Sequence, residues 1–76
     1  MPTILKSNGY RFFFYSNDHL PKHVHVEKAQ KVCKFELEPV ALSRNTGFKA
    51  SELREIRILI QQNISLLINS WDEYFN

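Results

Sequence analysis

The chain has 76 residues, about half the length of a typical domain, so we expect one domain over residues 1–76. Its single cysteine, Cys33, excludes an internal disulfide and a thiolate-based zinc finger within one chain. Ten Lys and Arg against eight Asp and Glu give a net charge of +2, which permits contact with nucleic acid without requiring it. We expect a cytoplasmic protein without a membrane span, because the chain has a lone thiol, no N-terminal apolar run and no long apolar segment.

Residues 1–48 are predicted to form strands. Two strand candidates come first, at 3–6 and 10–15, separated by a turn at 7–9, where Asn and Gly accept positive φ at little cost. The second candidate is rich in aromatic residues, which favours a strand, and its alternation places three rings on one face. These rings are Tyr10, Phe12 and Phe14.

A hairpin is predicted from residues 23–28 and 32–37, because apolar and polar side chains alternate in both segments. In a register with a two-residue tip, Val24 lies opposite Phe35. A slip by one residue would pair apolar with charged side chains, so this register is favoured. The same register places both histidines of the first segment together on the opposite face.

Residues 40–43 are predicted to form a further short strand, before a turn at 45–47. From 49 to 75 the hydrophobic period changes from about 2 to about 3.6, which predicts one long C-terminal helix. The expected fold class is therefore α+β, a small and mostly antiparallel sheet of about three to five strands packed against that helix. The apolar stripe of the helix consists of Leu53, Ile56, Ile60, Ile64, Leu67, Trp71 and Tyr74.

Three further aliphatic side chains, Ile58, Leu59 and Leu66, are predicted to lie outside this stripe. Scattered surface aliphatics are normal, and they explain these positions without any partner. The alternative is a second contact face for another protein or for a second copy of the chain. Because so short a chain builds only a small core and has no internal disulfide, we expect a homo-oligomer or a complex in the working state.

All three histidines, His19, His23 and His25, lie in one short segment. His23 and His25 leave the same strand face, which Arg11 on the neighbouring strand can share. Two imidazoles and one guanidinium suffice for metal-free RNA cleavage: one His accepts the 2′-hydroxyl proton, the other protonates the leaving oxygen, and Arg stabilises the developing charge. We therefore predict His19, His23, His25 and Arg11 as catalytic residues that use no metal and no cofactor. The expected substrate-binding residues are Tyr15, Lys34 and Asp18.

Two other interpretations of this segment stay open. Two histidines on the exposed face of a hairpin are also typical of solvated surface residues that bind nothing. A metal site is the second alternative, since neutral imidazole suits zinc and nickel. Its ligands would be His19, His23 and His25, with Asp18 as an optional addition.

Five motifs are shared with a known family: NGYRFFFYSND at 8–18, HVHV at 23–26, FELEP at 35–39, GF at 47–48 and WDEYF at 71–75. On these motifs the chain resembles the domain-of-unknown-function family 4160 of bacteria and archaea, over essentially its whole length.

The resemblance implies the toxin-like component of a toxin–antitoxin pair, encoded beside a small antitoxin-like protein. In that interpretation the His-rich strand, together with Arg11, is the functional region, and the protein cleaves or binds RNA without a metal. The alternative function is a non-catalytic protein-interaction or regulatory module, whose long helix and free sheet edge bind a partner. The sequence does not decide whether the protein is an enzyme.

Overall fold

The computed structural model describes residues 3–75 as one antiparallel sheet of five strands and two helices. The strands lie side by side in chain order, every neighbouring pair is antiparallel, and two helices follow, which confirms the α+β class and the antiparallel sheet. The predicted domain also includes residues 1, 2 and 76, which lie outside the described residues. The elements are β1 (Thr3–Ser7), β2 (Tyr10–Phe13), β3 (His23–Lys28), β4 (Lys31–Leu37), β5 (Val40–Thr46), α1 (Ala50–Gln62) and α2 (Ile64–Phe75).

The turn between β1 and β2 has the conformation expected from its sequence. Asn8 and Gly9 both have positive φ, at 53° and 83°. This pair of values suits the tight hairpin turns whose twist matches that of the flanking strands, and Asn-Gly is the dipeptide that adopts them at least cost. The turn fixes the register in which Ser7 pairs with Tyr10.

The hairpin of β3 and β4 has the predicted register. Val24 pairs with Phe35, and His25 pairs with Lys34, with two residues at the tip between the strands. Val24 and Phe35 are both fully buried, so the apolar face of the hairpin lies in the core. The histidine face is therefore directed to the other side of the sheet.

The strand β5 is longer than predicted, because it continues to Thr46 and is not limited to residues 40–43. The predicted turn at 45–47 is correspondingly wrong at its start, since Asn45 still pairs with Cys33. The Asn45 side chain binds both backbone groups of Phe48, so it closes the following turn without leaving the strand. The change of direction falls on Gly47, which has a φ of 101°.

The core lies between one face of the sheet and the two helices. The predicted ring face of β2 is confirmed, because its three aromatic residues are all buried there. Phe14 lies just beyond the end of β2 and meets Trp71 of α2 edge to face at 5.4 Å. The buried core residues are Tyr10, Phe12, Phe14, Val24, Val26, Cys33, Phe35, Leu37, Phe48, Ile56, Leu59, Ile60, Leu67 and Trp71.

The single long helix predicted over residues 49–75 is instead two helices, α1 and α2, that meet at Asn63. The Asn63 side chain donates a hydrogen bond of 2.8 Å to the carbonyl of Leu59, and its backbone φ of −119° is not helical. Asparagine competes for backbone groups in this way, which interrupts a helix. Leu59, predicted outside the apolar stripe, is buried, whereas Tyr74 of the predicted stripe is 42% exposed.

Candidate functional site

Most of the candidate functional residues lie on the sheet face opposite the core, which we call the helix-free face. Residues directly opposite each other in an antiparallel pair project to the same side. The pairs Phe13 with His25, His25 with Lys34, and Lys34 with Arg44 therefore form one row across four strands. Both helices pack on the other side of the sheet, so this row is not covered by α1 or α2.

Three polar side chains converge at the end of the sheet where the helix-free face meets α2: Asp18, His23 and His25. Oδ1 of Asp18 lies 3.1 Å from Nε2 of His25 and 3.1 Å from Nε2 of His23. One donor atom from each residue lies within 4.8 Å of the others, so the three could hold a metal ion. We call these three residues the Asp–His cluster.

The loop between β2 and β3 positions Asp18. Oδ2 of Asp18 accepts a hydrogen bond of 2.9 Å from the backbone N–H of Tyr15, and its own N–H donates to the Tyr15 carbonyl at 3.1 Å. A side chain that binds the backbone of a nearby residue fixes a turn, as Asp commonly does. Because Oδ2 is engaged in this way, Oδ1 is left to face the two histidines.

His23 is held from both sides and is only 3% exposed. Its Nδ1 donates to the carbonyl of Pro21 at 2.8 Å, and its ring lies 5.0 Å from that of Trp71. The Nε2 atom is buried and has no hydrogen-bond partner among residues 3–75, because its approach to Asp18 lacks hydrogen-bond geometry. The contact with Asp18 is therefore a close approach of two polar atoms.

His25 is packed between aromatic rings but keeps some contact with solvent. Its ring lies 4.6 Å from that of Tyr15 and 5.5 Å from that of Phe13. Burial lowers the pKa of His25 below its ordinary value, although the hydrogen bond with Asp18 opposes this effect. Burial raises the pKa of Asp18, but the Tyr15 backbone, His25 and the nearby His23 together outweigh it, and the net pKa is lowered. The Asp18 carboxylate is thus a persistent negative charge.

The predicted catalytic residues do not all meet. His19 is exposed in the loop and lies outside the Asp–His cluster, although with Asp18 it lines a groove of about 690 Å³ beside α2. Arg11 shares the helix-free face, where its guanidinium binds Glu27 and lies 4.1 Å from the centre of the Phe13 ring. The assignment of catalytic roles to these residues stays a prediction.

The predicted substrate-binding residues fall into two groups. Asp18 belongs to the Asp–His cluster, whereas Tyr15 and Lys34 lie beside His25 on the helix-free face. Arg44 extends this second group, because it is the strand partner of Lys34 on β5 and is exposed. We call Tyr15, Lys34 and Arg44 the basic stripe.

Arg44 is not among the predicted site residues, because the predicted strand β5 ends at Ser43. An irregularity in the pairing of β4 with β5, between Lys34 and Phe35, shifts the register of β5 by one residue and brings Arg44 opposite Lys34. In the sequence, Arg44 stands out only as a basic residue shortly after Leu42. Alternation of side chains does not reveal the register shift that brings it opposite Lys34.

Comparison with known proteins assigns the chain to a family without an assigned activity. The family model described as "Domain of unknown function (DUF4160)" matches residues 9–72. Searches of curated proteins and of solved structures found no match. Neither α1 nor α2, the helices of the described part of the chain, has the length and apolar character needed to cross a membrane.

Proposed function

The chain belongs to the DUF4160 family, and we propose that it is the toxin-like component of a toxin–antitoxin pair that binds single-stranded RNA on its helix-free face. The observation that carries the RNA proposal is the pair of basic side chains, Lys34 and Arg44, on neighbouring strands, neither of which forms an ion pair within residues 3–75. The toxin-like role is what the family resemblance implies. A cytoplasmic location and a neighbour-encoded antitoxin-like partner are part of the same proposal.

Lys34 and Arg44 place two positive charges side by side on neighbouring strands. They are strand partners, and neither forms an ion pair within residues 3–75. Like charges directly opposite each other destabilise a sheet, so an anion between them would be favourable. RNA backbone phosphates supply that charge, and arginine matches a phosphate with a bidentate fork.

Tyr15 adds a surface for a base at the other end of the basic stripe. Tyr15 is 38% exposed, while the contact of its ring with that of His25 holds it in place. Aromatic rings on a sheet face stack unpaired bases, and each such stack contributes about 1–3 kcal/mol. The basic stripe therefore favours a single strand, whose bases are free to stack, over a duplex.

Binding is favoured over metal-free cleavage by the position of the two histidines. Acid–base catalysis requires each imidazole to come within hydrogen-bond distance of the substrate. Nε2 of His23 is buried, and its Nδ1 is bound to the Pro21 carbonyl. Of these two histidines, only His25 adjoins the basic stripe. The stripe therefore has positions for an RNA phosphate and an RNA base, but only one acid–base group lies beside them.

The test is fluorescence anisotropy of a labelled single-stranded RNA oligonucleotide, titrated with the full chain in the presence of EDTA. The double variant Lys34→Gln, Arg44→Gln should bind roughly tenfold more weakly, because two cationic side chains no longer neutralise phosphates. The salt dependence should also become shallower, by about 0.7 in the log–log slope for each phosphate that is no longer neutralised.

The matched control is Lys49→Gln, Arg54→Gln, which removes the same two charges from exposed positions at and near the start of α1. This control should bind RNA as the unchanged protein does, apart from a small general charge effect. Equal losses in both double variants would show that binding depends on net charge alone. Absence of RNA binding by the unchanged protein would contradict the proposal and favour the protein-interaction alternative.

Two exposed aliphatic side chains on the helices bear on the protein-interaction alternative. Ile58 and Leu66 are 52% and 45% exposed, as expected for aliphatic residues outside the core stripe. Leu59 is not available to a partner in this way, because it is buried. An antitoxin-like partner or a second copy of the chain could cover these helical positions while the helix-free face stays open to RNA.

A further inference from the structure

We propose that Asp18, His23 and His25 form a binding site for a divalent transition-metal ion, with Zn²⁺ as the best-matched ion. The site goes beyond the RNA-binding proposal, since it uses the Asp–His cluster and not the basic stripe. Three observations carry it: the spacing of the donor atoms, the direction of the His23 lone pair, and the hydrogen bonds that orient the ligands.

The spacing fits a metal site. A tetrahedral zinc ion lies about 2.0–2.2 Å from its nitrogen and oxygen ligands, which places neighbouring donors about 3.3–3.6 Å apart. Oδ1 of Asp18 lies 3.1 Å from Nε2 of His23 and from Nε2 of His25. An ion can therefore enter between the three donors with small movements of the side chains.

The tautomer of His23 supplies the second observation. Its Nδ1 must carry the hydrogen, because its partner at 2.8 Å is the Pro21 carbonyl, which can only accept. In the neutral ring, Nε2 then has a lone pair, and this atom lies buried beside a carboxylate oxygen without a hydrogen bond. A buried unpartnered acceptor is costly, and a cation on its lone pair removes the cost.

His23 approaches Asp18 from an unusual direction for a hydrogen bond. A protonated Nε2 would be expected to point its N–H at Oδ1 of Asp18, but the geometry of this contact is not that of a hydrogen bond. In a metal site the ion occupies the lone-pair axis of the imidazole, and the neighbouring ligand lies to the side of that axis. The arrangement of His23 and Asp18 matches the second case.

The ligands are also oriented from behind, as metal ligands usually are. Metal-binding histidines commonly donate their other ring N–H to a backbone carbonyl, and ligating carboxylates are themselves hydrogen-bonded. His23 donates to the Pro21 carbonyl, and Oδ2 of Asp18 accepts from the Tyr15 N–H. Both bonds exist without an ion, so the site is already organised.

The donor set defines the class of ion. Two imidazole nitrogens and one carboxylate oxygen suit zinc and the neighbouring first-row ions, whereas magnesium and calcium prefer oxygen ligands alone. Three protein ligands leave a fourth position for water or another group. The groove lined by Asp18 and His19 adjoins the Asp–His cluster through Asp18.

The experiment is calorimetric titration of the tag-free full chain with Zn²⁺, repeated with Co²⁺, whose visible absorption reports the coordination geometry. We expect one ion per chain and a rise in the melting temperature on binding. Asp18→Asn preserves the shape of the side chain and should weaken binding at least tenfold, as should His25→Gln. His19→Gln should bind as the unchanged protein does, because His19 lies outside the Asp–His cluster.

Circular dichroism of each variant in EDTA distinguishes the loss of a metal ligand from the loss of the fold. Substitution of His25 is the least disruptive to folding, because its side chain is partly exposed. The proposal is overturned if the unchanged protein binds no Zn²⁺, if folded Asp18→Asn and His25→Gln bind it equally well, or if His19→Gln alone loses it. Because no RNA is present, failure here leaves the RNA-binding proposal unaffected.

Discussion

Lys34 on β4 lies directly opposite Arg44 on β5, so two positive charges face each other on the helix-free face without an ion pair among residues 3–75. A sheet optimised for stability alone would place opposite charges at such a pair. The repulsion between the two side chains therefore lowers the stability of the sheet, and an anion bound between them would offset that repulsion.

The Lys34–Arg44 pair predicts that stability and RNA binding change in opposite directions. Arg44→Gln should raise the free energy of unfolding by about 0.2–1 kcal/mol at low salt, the range for cross-strand pairs. The gain should shrink at high salt, because the repulsion is screened. Urea denaturation at two salt concentrations measures it, and a loss of stability in Arg44→Gln would contradict the repulsion.

The burial of the α1 stripe predicts unequal effects for two matched substitutions. Ile56 is fully buried against the sheet, whereas Ile58 is 52% exposed. Ile56→Val should lower the free energy of unfolding by about 0.5–1.5 kcal/mol, because it leaves a small cavity. Ile58→Val should change it by less than about 0.5 kcal/mol, as surface substitutions usually do. Equal effects in urea denaturation would mean that α1 is rotated from this orientation.

Tyr10 predicts a loss of stability in alkaline solution. Burial raises the pKa of Tyr10 from 10.0 to about 12, and its hydrogen bond of 2.8 Å to Glu55 adds to the effect. Because the folded pKa is above the unfolded one, this contribution to stability is complete below pH 10 and is lost as the pH rises to about 12.

The measurement for Tyr10 is the melting temperature as a function of pH. The unchanged protein should lose stability between pH 10 and 12 more steeply than Tyr10→Phe, which has no phenol to titrate. Parallel curves would show that Tyr10 is accessible in the folded state.

Cys33 should be unreactive in the folded protein. Burial raises the pKa of its thiol to about 12, and its side chain is 1% exposed. Since the thiolate is the reactive form, a disulfide reagent at pH 8 should modify Cys33 only as fast as the protein opens. After denaturant is added, Cys33 should be modified rapidly and completely. Rapid modification of the native protein would contradict the buried position.

The β1–β2 turn and the β3–β4 hairpin could be predicted because their information is local. Alternation along His23–Lys28 and Lys31–Leu37 leaves one register that keeps apolar partners together, and the structure has that register. The Asn8-Gly9 turn is equally local, since few other dipeptides accept two positive φ angles. Where a residue and its neighbours in the chain determine the local structure, that structure can be predicted from the sequence.

The helix break and the Asp–His cluster depend on contacts that periodicity does not describe. The apolar stripe continues through Asn63, so the break comes from a side chain that binds the Leu59 carbonyl. Asp18 reaches His23 and His25 only because its turn with Tyr15 folds the loop back over β3. The strand spacing predicts that two histidines share a face, but not which third residue joins them.

The most direct test of RNA binding on the helix-free face is an NMR titration of the ¹⁵N-labelled chain with a short single-stranded RNA. We predict that the largest amide shifts occur at Tyr15, Lys34, Arg44 and their strand neighbours, while α1 is unaffected. Saturating shifts confined to that face would support the proposal. Shifts centred on α1 and α2, or no shifts at millimolar RNA, would contradict it.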